Sequence, residues 1–358
     1  MGELPALVVA AGWGLPTSTG SAVVDDSDRD RLLHGARRDR LGGLLAQAVA
    51  DGSVVASTDL VAAVTTTWHE QLVASVTVEC LVPPVADLLH DAGVDWRLTK
   101  GPALAHLDYP DPALRPFGDV DVLVRPGQWQ VALDALADSG WVRGSPELAP
   151  GFDERFGKGA TLTNGVGLEV DAHRRLAAGR FGLRLDSEAL FADVEWLELG
   201  GRKVPCLGAR DRLLHACFHA SLGGARRLRA FRDVAQLLLV TEADWEGAVT
   251  AAEGASVQAV VASAVVETWR RLGLAIDHPA HDWARGVRVG PLDRRALRIF
   301  QEERSYARQA LTAVPDLLGR GAGRYLWALA VKPGHRAAAP PAPPAPPAPP
   351  APPATTHR

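Results

Sequence analysis

Two aspartates two residues apart, in Gly118-Asp119-Val120-Asp121-Val122-Leu123-Val124, carry the clearest chemistry in this 358-residue chain. A strand's period of two puts Asp119 and Asp121 on one face and turns Val120, Val122 and Val124 to a core. Carboxylates set side by side repel, and hard oxygen donors favour Mg2+ or Mn2+, which would draw further oxygens from a nucleoside triphosphate. The competing reading pairs or caps one aspartate and leaves the other in water. The same logic repeats in Leu168-Glu169-Val170-Asp171-Ala172-His173, where Glu169, Asp171 and His173 share one face. If that strand lies beside the first, Asp171 can take a proton from an acceptor hydroxyl or complete a metal site. Glu169 is the second candidate for that role, and a solvated acidic strand edge is the alternative.

Lys100-Gly101 falls between a predicted strand and a predicted helix, where a cation and backbone N–H groups can cradle phosphate. Arg115 either neutralises a polyphosphate or pairs with Asp111. His215 and His219 stand four apart on a predicted helix, a spacing that can share a metal, although no glutamate lies between them as in zinc proteases. The basic run from Arg226 to Arg232 reads as a solvated helical face that could meet an anion, with Asp233 at pairing distance from Arg229.

Several kinds of element must position these residues. From Asp26 to about His90, apolar residues such as Leu32, Leu33, Leu41, Leu44 and Leu45 recur at helical spacing. Ser57 offers a cap, Pro83-Pro84 a break or restart, and Gly93 an end. After Val94 the texture changes to a strand at 96–98, a helix over 102–107, a loop forced by Pro110, Pro112 and Pro116, and then the strand over 119–124. A helix over 128–139 and a short strand at 141–142 follow. Residues 157–163 and 167–173 read as a hairpin closed by a two-residue turn at Asn164-Gly165. Residues 195–199 and 202–206 read as another, joined at Gly200-Gly201. Helices resume from Ala209 to about Leu272 and continue in the same style to Trp327, with Leu213, Leu214, Cys217 and Phe218 on one apolar face and Phe231, Val234, Leu237 and Leu238 on another. The predicted fold class is α+β. A small mixed sheet over 94–208 lies between a helical lead-in at 1–93 and a helical C-terminal region at 209–333. The Pro-Pro-Ala repeats place a disordered, polyproline-like tail at 334–358.

A 47% apolar composition is enough for a sizeable core, and a formal charge of −4 gives no general attraction to nucleic acid, so a small-molecule or protein acceptor leads. Cys80, Cys206 and Cys217 are too few and too scattered for a disulfide framework or a four-cysteine zinc site, which suits a reducing cytoplasm. The apolar residues 4–11 follow Glu3 with no basic region, so no signal peptide is expected. No uninterrupted apolar run of spanning length is expected either, and so no membrane partner.

Taken in order, Leu98-Thr99-Lys100-Gly101-Pro102, Tyr109-Pro110-Asp111-Pro112, Arg115-Pro116-Phe117-Gly118-Asp119-Val120-Asp121 and Val170-Asp171-Ala172-His173, then the helical segments at 211–220 and 228–239, resemble the poorly characterised bacterial nucleotidyltransferase family of the polymerase-β superfamily. The likeness spans roughly residues 30–270. It implies transfer of a nucleoside monophosphate from a nucleoside triphosphate to an acceptor, with release of pyrophosphate. Asp119, Asp121 and Asp171 would hold Mg2+ or Mn2+, with Asp171 also a candidate base. Lys100 and Gly101, with Arg115 and Gly118 beside them, would contact the nucleotide. The chain departs from the wider superfamily in having Lys100-Gly101-Pro102 where a glycine-serine loop is usual. Two other readings stand beside this one. A catalytically silent nucleotide-binding or interaction module is opposed by the repulsion of three clustered carboxylates without metal. A metal-dependent hydrolase using His215 and His219 requires that helix to approach the acidic strands.

Overall fold

A computed structural model describes residues 3–223, 227–302, 305–319 and 321–330. The tail expected over 334–358 lies outside the described residues. Five helices precede the main sheet: α1 (Pro5–Ala11), α2 (Arg29–Asp39), α3 (Gly42–Ala50), α4 (Thr58–Glu79) and α5 (Val82–Asp91). Ser57 Oγ accepts a hydrogen bond from the Leu60 backbone N–H at 3.3 Å and caps α4. Pro83 and Pro84 sit in the first turn of α5, where a missing N–H is tolerated. The segment Thr58–Asp91 is long and apolar enough to cross a membrane by length and composition, with a hydropathy of 1.7. It passes on average only, and holds no uninterrupted apolar run of spanning length, since residues such as Thr65, Thr66, Glu70 and Ser75 break it. In the fold it is divided into α4 and α5, and α4 lies against α2 and α3.

Two short strands, β1 (Ala22–Val23) and β2 (Val54–Val55), pair in parallel. The main sheet contains β3 (Trp96–Thr99), β4 (Val120–Val124), β5 (Val142–Arg143), β6 (Gly159–Thr163), β7 (Glu169–His173), β8 (Glu195–Leu199) and β9 (Arg202–Cys206), in the order β5-β6-β7-β4-β3-β9-β8. It is mixed: β4 runs parallel to β7 and antiparallel to β3. Within and around it lie α6 (Gly101–Leu107), α7 (Trp129–Asp138), α8 (Phe152–Arg155) and α9 (Gly179–Arg184). The α+β class read from the sequence is the class observed.

On one face of this sheet Val120, Val122, Val124, Val170 and Ala172 share a core with Val85 and Leu89 of α5 and Trp129 and Leu136 of α7. Burying each valine is worth roughly 1.5–3 kcal/mol. A one-residue slip would carry Asp121 into that core, so the alternation locks the register. Leu123 points the other way, into a second core shared with α10 (Ala209–Leu222), α11 (Leu228–Leu239) and, beyond α12 (Trp245–Gly254), α13 (Gln258–Leu272).

Gly200 and Gly201 both take positive φ, 53° and 73°, as the two-residue turn between β8 and β9 requires. The β6–β7 turn differs from its expectation. Thr163 pairs with Glu169, so the loop runs from Asn164 to Leu168. Asn164 Oδ1 accepts from Val166 N at 3.1 Å and Leu168 N at 3.0 Å, and the left-handed residue is Gly167. The asparagine side chain stabilises a longer turn than Asn-Gly alone implies.

Candidate active site

Parallel pairing of β4 with β7 sets Asp121 opposite Asp171 and Leu123 opposite His173. Antiparallel pairing of β3 with β4 sets Thr99 opposite Asp121, so Lys100 emerges at the end of β3 beside the same carboxylate. Lys100 Nζ lies 2.5 Å from Asp121 Oδ1, and His173 Nε2 lies 2.7 Å from the same oxygen. Ligand atoms of Asp121, Asp171 and His173 all fall within 4.8 Å of one another. Asp171 accepts from Thr161 Oγ1 at 2.5 Å. Asp119, just before β4, is partly exposed and faces Arg40 Nη1 at 3.4 Å.

Burial would raise the Asp121 carboxyl, but Lys100 and the His173 hydrogen bond outweigh it and hold the group well below the usual carboxylate range. Burial, with Lys100 and Lys158 adding to it, pulls His173 down to about 4 against the opposing pull of Asp121. At neutral pH the contact is therefore a hydrogen bond from a neutral imidazole, Nε2–H donating to the carboxylate, and Nδ1 is left buried without a partner. Lys158 is drawn down to about 8, first by burial and then by Lys100.

These contacts correct one premise of the sequence argument. The carboxylates were expected to destabilise one another unless a metal were bound. Instead Lys100 neutralises Asp121 and His173 donates a hydrogen bond to it, Arg40 faces Asp119, and Thr161 holds Asp171. The carboxylate oxygens of Asp121 and Asp171 lie close enough together to share a hard divalent cation, while Asp119, expected as a third ligand, lies outside that cluster and faces Arg40.

Backbone conformation points to the same place. Among the described residues, four that are not glycine have positive φ, and two of them, Lys100 (48°) and Arg40 (52°), aim their side chains at these aspartates. Such strain, of order 1–3 kcal/mol each, persists where surrounding contacts hold it. Gly118 has a packing reason too: a Cβ there would stand 2.5 Å from Arg40 Nη2. At Gly101 a Cβ would meet the Asp119 carbonyl oxygen at 3.2 Å.

The chain's other sites are distributed differently from the sequence expectations. Arg115 does not reach Asp111, whose carboxylate accepts from Ala113 N. Arg115 is buried against Asp233, with Nε at 3.1 Å and Nη2 at 2.8 Å, and its Nη1 donates to the Gly101 carbonyl at 3.2 Å. The guanidinium thus supports the start of α6 from behind. Asp233 is consequently not the partner of Arg229, which donates to the Pro116 carbonyl. The basic run is not a solvated face either, since Arg229 and Arg232 are buried. Arg232 reaches the Ala11 and Trp13 carbonyls, so these arginines satisfy backbone acceptors where α11 meets the N-terminal segments.

His215 and His219 are both held well below their ordinary pKa, first by burial and then by Lys100. They border a void of about 10 Å3 shared with Lys100 and Asp233, at the lower limit for one water. Neither joins the cluster of metal-capable ligands found among the described residues. Helix α10 does approach the acidic strands, since His219 and Asp119 line one cavity, but the two histidines share no ligand cluster with a carboxylate among the described residues.

The sequence model of a family described as uncharacterised nucleotidyltransferase matches residues 25–268. The chain belongs to this nucleotidyltransferase family. No curated protein matches. Among solved structures, the antibiotic-resistance factor ANT(2'')-Ia aligns at 12% identity and a TM-score of 0.36, covering 51% of this chain and 96% of that one. The lincosamide antibiotic adenylyltransferase LnuA, bound to lincomycin, aligns at 18% identity and 0.29, covering 43% and 92%. An antigenic nucleotidyltransferase-like protein from Paracoccidioides brasiliensis aligns at 16% identity and 0.32, covering 57% and 95%.

Two residues of this nucleotidyltransferase escaped sequence reasoning, Arg40 and Lys158, whereas Arg229 was read as part of a basic run that could meet an anion. Lys158 had a local signal, since it lies between Gly157 and Gly159, and a Cβ at Gly159 would stand 2.2 Å from the Ala172 carbonyl oxygen. That close approach seats Lys158 near Asp171. Arg40 had no such signal, because it reaches Asp119 from the end of α2, distant in sequence.

Proposed function

We propose that this nucleotidyltransferase moves a nucleoside monophosphate from a nucleoside triphosphate to a hydroxyl of a small-molecule or protein acceptor and releases pyrophosphate. The β4–β7 register, which sets Asp121 beside Asp171 with His173 and Lys100 against them, is the observation that supports it most directly. Asp119, Asp121 and Asp171 would hold Mg2+ or Mn2+, which when bound supplies positive charge to the transferring phosphoryl group and its leaving oxygen. Asp171, partly exposed, accepts the proton of the incoming hydroxyl. A bond forms between that oxygen and the α-phosphorus as the bond from phosphorus to the pyrophosphate oxygen breaks, and pyrophosphate leaves with the electron pair. Lys100 offsets negative charge beside Asp121, while Arg115 steadies Gly101 through its carbonyl. Gly118 keeps the approach to Asp119 open for Arg40. The three cysteines, all free, accord with a cytoplasmic setting.

Calorimetric titration with ATP, GTP, CTP and UTP in the presence of Mg2+, on the wild type and on Asp119→Ala/Asp121→Ala, tests this reading. Binding of at least one nucleotide should depend on Mg2+ and vanish in the double variant. With that nucleotide, Asp121→Asn should slow transfer on the order of 100- to 1,000-fold. A folded wild type that binds none of the four would sink the proposal.

A further inference from the structure

The expected phosphate contact at Lys100-Gly101 is incompletely equipped. Lys100 is committed to Asp121, and α6 has only seven residues. A better-equipped space lies next to it. Where the end of α10 meets the start of α11, a cavity of about 230 Å3 is lined by Arg40, Asp119, His219, Gly223, Arg227 and Arg229. Three guanidinium groups therefore face one carboxylate. Arg229 is only 8% exposed, and its Nε is buried without a hydrogen-bond partner although Nη1 donates to Pro116. Arg229 thus lines the cavity as a buried guanidinium with one nitrogen unpaired, and an anion is the ligand such a group favours. Burial first, then Arg115, draws the Arg229 guanidinium down to about 9, so it is still charged at neutral pH. His219, neutral at that pH, lines the wall without adding charge.

We propose that this arginine-lined cavity holds the β- and γ-phosphates of the nucleotide and then the pyrophosphate formed from them. The inference rests on the transferase reading and adds to it the place where the donor's charge is carried. At about 230 Å3 the cavity is far larger than the void of about 10 Å3 beside Lys100 and His215. Asp119, which stands two residues before Asp121 of the clustered carboxylates, lines the same cavity. Asp171, on the neighbouring strand, does not line it, which leaves that side to the acceptor. Arg229 and Arg227 thus take over what a glycine-serine loop would do, and they do so from the helical region.

The test is calorimetry of the full chain with inorganic pyrophosphate and Mg2+, at fixed ionic strength, alongside the nucleotide identified above. The wild type should bind pyrophosphate, and Arg227→Ala and Arg229→Gln should each weaken it about tenfold or more. Arg227 is partly exposed, so its variant keeps the test valid if the buried Arg229→Gln fails to fold. If nucleotide binds with Mg2+ but pyrophosphate does not, or binds equally to the wild type and Arg227→Ala, the cavity assignment falls and the transferase reading stands. If neither ligand binds, both fall together.

Discussion

Replacing Asp233 by alanine should cost about 3–5 kcal/mol of stability, and the structure shows why. Its carboxylate accepts from Tyr109 Oη at 2.9 Å, Arg115 Nε at 3.1 Å and Arg115 Nη2 at 2.8 Å, and both charged side chains are 2% exposed. Burial works against the charge of Arg115, and Asp233 more than offsets it. Three hydrogen bonds to a charged group, at roughly 1.5–3 kcal/mol each, bound the effect from above. Relaxation and water penetration reduce it to the range measured when one member of a buried pair is removed. The double substitution Arg115→Met/Asp233→Leu removes both charges together and should return to within about 2 kcal/mol of the wild type, short of full recovery because the Gly101 carbonyl and Tyr109 hydroxyl lose their partners. Urea unfolding of the three proteins, followed by circular dichroism, reads these differences from midpoint and slope. A loss below about 1 kcal/mol for Asp233→Ala, or a double variant no better than the single one, would refute the argument that an uncompensated buried charge governs this site.

Two further substitutions probe the backbone around the aspartates. Lys100 has φ 48° and ψ −119°, a conformation glycine adopts without cost, so Lys100→Gly should be more stable than Lys100→Ala by about 1–2 kcal/mol in the same urea assay. Equal stabilities would mean the strain is absent. Gly118→Ala presses on the flexible end of Arg40 and should change stability by less than about 0.5 kcal/mol, whereas Gly159→Ala drives a Cβ to 2.2 Å from the Ala172 carbonyl oxygen and should cost about 1–3 kcal/mol. A reversed order in thermal unfolding would contradict the close β6–β7 approach.

Much of the sheet was legible because its signals are local. Alternating valines mark β4, paired glycines with positive φ mark the β8–β9 turn, and Ser57 marks the start of α4. Local signals misled where a side chain redirected the chain, as Asn164 does in the β6–β7 turn. They misled again where a helix that looked half-solvated is buried on nearly all sides. Arg229 and Asp233 have the spacing of a surface pair, but α11 is enclosed by the core, and each residue finds its partner in the loop before β4.

By itself, then, the sequence determined which side chains could do chemistry and which face of which strand they stand on, because alternation is written in adjacent residues. Only the tertiary structure decided what those side chains meet. Asp121 and Asp171 become neighbours through a parallel pairing of strands far apart in the chain, and Arg40 reaches Asp119 across 79 positions. Such meetings depend on how buried apolar faces close on one another, and that closure also sets which arginine is paired, which is exposed, and which lines a cavity.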